Sequence, residues 1–159
     1  MSYLISMLSK KGFKMALLYA EQVEYLDVEE MQETHEAEIQ ILNEIDKLAI
    51  QYNMDKSKLP ELEEKIDTYL KHVKEHFANE ERLMKKYDFP SYEMHKMAHD
   101  MFLMDIGITI KQWKKFGDVN KVINFIRKSP EWIVMHINTV DAPTSAYIVH
   151  KMALEAKRK

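Results

Sequence analysis

Apolar residues return every third or fourth position through four stretches of the chain, the spacing of amphipathic helices rather than of strands. In the first stretch Ile39, Leu42, Ile45, Leu48 and Ala49 carry the pattern. It predicts a helix from a cap at Asp27, with Glu30 three residues on, to about Tyr52. Leu62, Ile66, Tyr69, Leu70, Val73 and Phe77 form the second stripe. That helix begins at Pro60, whose missing N–H costs nothing in a first turn, and stops near Tyr87 ahead of Phe89-Pro90. A third helix is predicted from Tyr92 to Phe116, with Ser91 as its cap and Gly117 closing it. The fourth follows Asp118 and carries Val119, Val122, Ile123, Phe125 and Ile126. It is interrupted or kinked at Pro130, resumes through Trp132 to about Val140, and ends before Pro143. Helices of roughly 20–28 residues with short connections predict an all-α, up-down-up-down four-helix bundle. Residues 1–26 read as an N-terminal arm, 27–150 as the bundle and 151–159 as a basic C-terminal tail.

Composition narrows the chemistry. The 159 residues contain no cysteine, which excludes a disulfide framework, a thiol nucleophile and any thiolate-held metal or cluster. A metal would have to be held by His, Asp, Glu or Tyr. With 23 basic against 26 acidic residues the net charge is −3, and the basic pairs are dispersed, so neither nucleic acid nor a membrane is indicated as a partner. No apolar run reaches the roughly 18–20 residues of a membrane span, and MALLYA is too short for a secretory signal. The chain reads as cytoplasmic.

The histidines supply the function. His95 and His99 lie four apart, as do His76 and Glu80. Residues at that spacing differ by about 40° around a helix and point one way, which suits two ligands reaching one metal site or two adjacent metals. His35 lies in the first helix and His136 in the fourth, so every helix presents an imidazole. Asp141 follows His136 by five residues, a rotation of about 140° on an ideal α-helix. For both to face inward, the helix must unwind or tighten between Asn138 and Asp141.

With these residues in view, the sequence resembles the hemerythrin family in its short bacterial form. The resemblance covers about Asp27 to Tyr147 and rests on His35, then His76 with Glu80, then His95 with His99, then His136 with Asp141. HFANEERLM, HKMAHDMF and WIVMHINTVD support it locally. The resemblance implies a non-haem di-iron centre, completed by an oxo or hydroxo bridge. His95, His99 and His136 would bind one iron, His35 and His76 the other, with Glu80 and Asp141 bridging. It further implies an open position on the second iron where dioxygen binds, with Trp132 and Ile133 as walls of the dioxygen pocket. The expected function is reversible dioxygen binding for storage, delivery or sensing, by a protein that turns over no substrate.

One departure bears on that expectation. Three residues after His35, where the family carries an apolar residue, this chain has Glu38. Set in a helix already rich in glutamate, it is expected to point outward. Were it to face the open iron position, it would favour a di-iron enzyme acting on peroxide, dioxygen or nitric oxide, as a peroxidase or oxidase. An iron-storage or repair protein is a further alternative. His72, one turn before His76, is read as partly exposed, the tyrosines as leaving their hydroxyls in water, and His150 is given no role.

Overall fold

A computed structural model describes residues 16–159; the first fifteen residues of the predicted arm lie outside it. The described chain is an all-α bundle of four long helical rods. Helix α1 spans Glu29–Met54, α2 Leu59–Lys86, α3 Tyr92–Phe116 and α4 Asn120–His136. A π-helical turn, Ile137–Asp141, joins α4 directly to α5, Ala142–Lys157.

Helix ends follow the punctuation in two places. Pro60 sits in the first turn of α2, and Gly117 closes α3 in the left-handed conformation at φ 73°. Asp88 adopts that same conformation after α2, at φ 52°, although it is not a glycine. Elsewhere tertiary contacts decide. Helix α1 starts at Glu29 with Val28 as its cap, rather than at an Asp27 capping box. The Val28 N–H donates to Ser145 Oγ at 3.2 Å, and the Leu26 N–H to the Gln32 side chain at 2.8 Å. Ser91 precedes α3 without a side-chain capping bond.

The fourth rod is longer than predicted. Helix α4 runs through Pro130 without a break, and the rod does not end before Pro143. Pro143 falls in the first turn of α5, where no N–H is needed, so the helix restarts there and takes residues 151–157 of the expected tail with it. The π turn is the unwinding that the His136–Asp141 spacing requires, with the Ala142 N–H donating five residues back to the Ile137 carbonyl.

Two apolar clusters flank the middle of the bundle. The larger joins Leu42, Ile45, Leu62, Ile66, Tyr69 and Ile126. The smaller joins Leu26, Val28, Met31, Leu83, Tyr87 and Ile148. The described part of the arm belongs to this packing. Leu18 is fully buried in the larger cluster, its backbone N–H and C=O both bonded by the Asn43 side chain. Asn138 in the π turn accepts from the Glu24 N–H and donates to the Gln22 carbonyl. His35, Glu80 and Asp141 fall between the two clusters along their helices, so the site is enclosed at both ends by hydrocarbon.

Candidate metal centre

The seven residues singled out by spacing are gathered in one buried place. Glu80, His95, His99, His136 and Asp141 form one group whose ligand atoms lie within 4.8 Å of one another, and His35, His76, Glu80 and Asp141 form a second. The two groups share both carboxylates, and each carboxylate divides its oxygens between them. Glu80 Oε1 lies 2.7 Å from His76 Nε2 and 3.4 Å from His35 Nε2, while Oε2 lies 3.1 Å from His99 Nε2 and 3.3 Å from His95 Nε2. Asp141 Oδ2 lies 3.0 Å from His35 Nε2; its Oδ1 lies 3.0 Å from His95 Nε2 and 3.1 Å from His136 Nε2. Such placement suits carboxylates that bridge two cations. The π turn makes it possible, because it brings Asp141 round to the same side as His136.

The donor set fits metal. Nε2 of His35, His95, His99 and His136 is buried without a hydrogen-bond partner, as are Glu80 Oε2 and both Asp141 oxygens. Buried polar atoms are rarely left so, and here they converge on common points. Neutral imidazole and carboxylate are ligands suited to iron.

Outer contacts fix how the rings present themselves. The Thr144 hydroxyl donates to the Val140 carbonyl at 2.9 Å, so at its 2.8 Å contact with His95 Nδ1 it accepts. With a metal ion held at Nε2, the remaining His95 proton would sit on Nδ1, facing the Thr144 hydroxyl. Glu81 Oε1 likewise accepts from His99 Nδ1 at 3.3 Å, and the Glu38 carboxylate faces His76 Nδ1 at 2.9 Å as a charge partner. Phe77 stacks face to face on His99 with centroids 3.9 Å apart, and Trp132 on His136 at 4.3 Å.

The imidazoles and carboxylates of the cluster shift one another's proton affinities against the effect of burial. Burial alone would push the imidazoles of His35 and His95 down, but the Asp141 and Glu80 carboxylates, 3.0–3.4 Å from their Nε2 atoms, reverse this and raise both to about 9. Burial likewise opposes charge on Glu80, yet the surrounding imidazoles hold it well below the usual carboxylate range. Asp141 is held low by His136, His35 and His95 against both its burial and the repulsion of Glu80.

Several expectations are corrected. Glu38 does not point outward; it is buried, yet it lies behind His76, on the nitrogen opposite the one that faces Glu80. Its carboxylate therefore meets a ligand's outer edge rather than the open side of the cluster. His72 is half-buried beside this pair, in keeping with the partial exposure expected of it, and burial lowers its basicity. Tyr69 is wholly buried with its hydroxyl near Glu38, and burial followed by that carboxylate raises it well above the ordinary phenol value. Trp132 does lie against the site, over His136, and also lines a groove of about 480 Å³ between α3 and α4 with Phe102 and Phe125. Ile133 is buried in the larger apolar cluster. His150 is exposed on α5. Thr144 and Glu81 carried no sequence signal, since a threonine after a proline or a glutamate in a charged helix is unremarkable by itself.

An all-α bundle with an interior cluster of five imidazoles and two shared carboxylates is a non-haem metal-binding bundle. Residues 26–142, well over half of the chain, match the family described as "Hemerythrin HHE cation binding domain". The chain belongs to the hemerythrin family. It is 28% identical over 116 residues to the bacteriohemerythrin of Aquifex aeolicus (strain VF5), covering 72% of this chain and 85% of that one. It is 24% identical over 86 residues to the bacteriohemerythrin of Ralstonia nicotianae, covering 54% and 62% respectively. Hemerythrin subunit 1 of Golfingia vulgaris is 35% identical over 66 residues, 42% of this chain and 46% of that protein. Among the described residues no helix is long and apolar enough to cross a membrane.

Proposed function

We propose that this protein binds dioxygen reversibly at a di-iron centre, for storage, delivery or sensing in a bacterial cytoplasm. His95, His99 and His136 would hold one iron and His35 and His76 the other, with Glu80 and Asp141 spanning both. The observation that carries this reading is the division of each carboxylate, one oxygen toward the three-imidazole group and one toward the two-imidazole group. Membership of the hemerythrin family, with two bacteriohemerythrins among the relatives, supports this reading. When bound, the iron pair would supply the redox equivalents and an open coordination position on the side with fewer imidazoles.

The chain's own residues do the rest. Glu81 and Thr144 face Nδ1 of His99 and His95, and the Glu38 carboxylate faces that of His76, so each ring presents Nε2 toward the centre. Phe77, Trp132 and the two apolar clusters keep bulk water from the carboxylates. Ile133 supplies hydrocarbon on the α4 side. Exclusion of water and of outside reductants is what separates reversible binding from turnover.

A second reading, an oxidoreductase acting on peroxide, dioxygen or nitric oxide, has one specific observation in its favour. Glu38 places a buried third carboxylate against a ligand imidazole. Anaerobic loading with ferrous iron, iron quantitation and visible spectra through cycles of air and argon separate the two. Two irons per chain, with bands that rise in air and vanish under argon, are expected. Iron that oxidises once and stays oxidised moves the assignment to the oxidoreductase.

A further inference from the structure

Helix α3 has two apolar faces, and the fold buries only one. His95, His99, Phe102, Ile106 and Trp113 face the interior. Met94, Met97, Met101, Met104 and Ile108 are between 49% and 70% exposed. Their 3-4-3-4 spacing confines them to an arc of about 80°, turned well away from the buried face. This is the a/d stripe of a coiled coil, and methionine is the side chain best able to repack against a neighbour.

We propose that this stripe docks antiparallel against the same stripe of a second copy of the chain, forming a two-fold dimer through α3. Charge selects the occupant and the direction. Along one flank of the stripe lie Glu93, Lys96 and Asp100 in the first half of the helix, with Lys96 paired to Asp100, and Lys111 and Lys114 in the second. Antiparallel copies bring Glu93 of each against Lys114 of the other, whereas parallel copies turn this flank toward the opposite one and set Asp100 against Asp105, two like charges. A closed two-fold pairing of identical patches follows.

The register follows from the heptad. Antiparallel helices layer an a residue on a d residue of the partner. Met97 then meets Ile108, Met101 meets Met104, and the aliphatic stem of Lys111 covers Met94. On the flank, this register sets Glu93 against Lys114 and Asp100, already paired with Lys96, against Gly107. Gly107 fits the same arrangement. A glycine weakens a helix interior relative to alanine, and a Cβ placed there would meet nothing within 4 Å in its own subunit. The close approach of a neighbouring helix gives that position its reason.

The test uses the full 159-residue, iron-loaded chain. Sedimentation equilibrium should show a concentration-dependent dimer of the 18.9 kDa chain. Met101→Glu with Met104→Glu should weaken association at least about tenfold, leaving iron content and helicity unchanged. Glu93→Lys alone should weaken it, and adding Lys114→Glu should restore it. Because the chain lacks cysteine, single cysteines report the geometry. Met97→Cys mixed with Ile108→Cys should cross-link under mild oxidation, while each alone should not, its own copy lying about 16 Å away along the helix. A monomer at all concentrations, whether the stripe is covered by the first fifteen residues or by another protein, overturns the proposal. So does a dimer indifferent to the glutamate pair, or one in which each cysteine cross-links to itself.

Discussion

The Glu38 carboxylate lies 2.9 Å from Nδ1 of His76, on the ring edge opposite the Nε2 that faces Glu80. Burial opposes a charge on Glu38, and the adjoining His76 imidazole overcomes it, holding the carboxyl below its ordinary value. Glu38 is thus a positioning residue for His76. Outer partners of metal ligands are commonly worth about 10–100-fold in metal affinity. Glu38→Ala is expected to lower iron affinity by about that factor, with the loss falling first on the two-imidazole half of the centre. Glu38→Gln, which keeps an acceptor, should retain most of it. Chelator competition followed by iron quantitation decides; identical retention in all three proteins would remove the role.

Thr144 plays the corresponding part for His95. Its hydroxyl passes its single proton to Val140 and accepts from Nδ1. Thr144→Val keeps the shape and removes the acceptor, leaving the buried Nδ1–H unpaired at a cost of about 1–3 kcal/mol. Iron should dissociate faster while the unfolding midpoint of the iron-free chain changes little, since there the imidazole can reorient toward the carboxylates. Stopped-flow chelation measures the first effect and urea unfolding the second. Unchanged iron release would show that Thr144 does not orient the ring.

What the sequence made legible was whatever repeats with the helical period. The i,i+4 pairs at His76/Glu80 and His95/His99 needed only a helix to converge, and they do converge. The phase problem at His136 and Asp141 was visible as arithmetic, and the π turn answers it. Glu38 was not legible, because a glutamate among Glu33, Glu36 and Glu44 looks solvated until its helix is rotated against α2. Pro143 misled for a different reason. A proline terminates a helix only where an N–H is needed, and directly after the π turn none is. The start of α1 was fixed by Ser145, over a hundred residues away, which local capping rules cannot register.

The raised imidazoles make iron-free stability depend on pH with a definite sign. His35 and His95 bind protons more tightly folded than unfolded, with values of about 9 against an ordinary 6.5. Their contribution is complete below about 6.5 and is lost as pH rises through about 9. Glu80 and Asp141, held low, contribute above the ordinary carboxylate range and lose that contribution on acidification. The iron-free chain is therefore expected to be most stable near pH 5–6.5 and weaker at pH 9.5 by on the order of a few kcal/mol. Ligation needs neutral imidazoles, so loading iron at pH 7 should release protons. Urea titrations at several pH values, and calorimetry in two buffers of different ionisation enthalpy, measure these; a flat stability profile with no proton release contradicts the electrostatic account.

Leu18 tests whether the arm is part of the fold. It is fully buried in the larger cluster and fastened by Asn43 through both backbone groups. Leu18→Ala removes buried hydrocarbon from a packed site, and such changes cost about 2–5 kcal/mol. Tyr25→Ala, at an exposed arm position, should cost within about 0.5 kcal/mol. Urea unfolding of both variants makes the comparison. Equal, small losses would mean that the arm rests on the bundle without contributing to its core.

The π turn carries the most distinctive expectation, because it can be edited by one residue. His136 and Asp141 lie five apart and share a side only because the turn between them is widened. Deleting the exposed Thr139 leaves four steps, which in an ordinary α-helix differ by about 40° and advance about 6 Å. Both side chains would still face inward, and everything after Asp141, including Thr144 and Ile148, would stay in phase. Inserting an alanine after Thr139 instead makes six steps, about 240° of rotation on an α-helix. That turns Asp141 away from His136 and carries Thr144 off His95. The deletion variant is expected to keep its iron and its helicity with α-helical geometry throughout. The insertion variant should lose iron while remaining largely helical. Iron per chain and circular dichroism on the two proteins give the answer. If the deletion loses iron as completely as the insertion, the π turn does more than set phase.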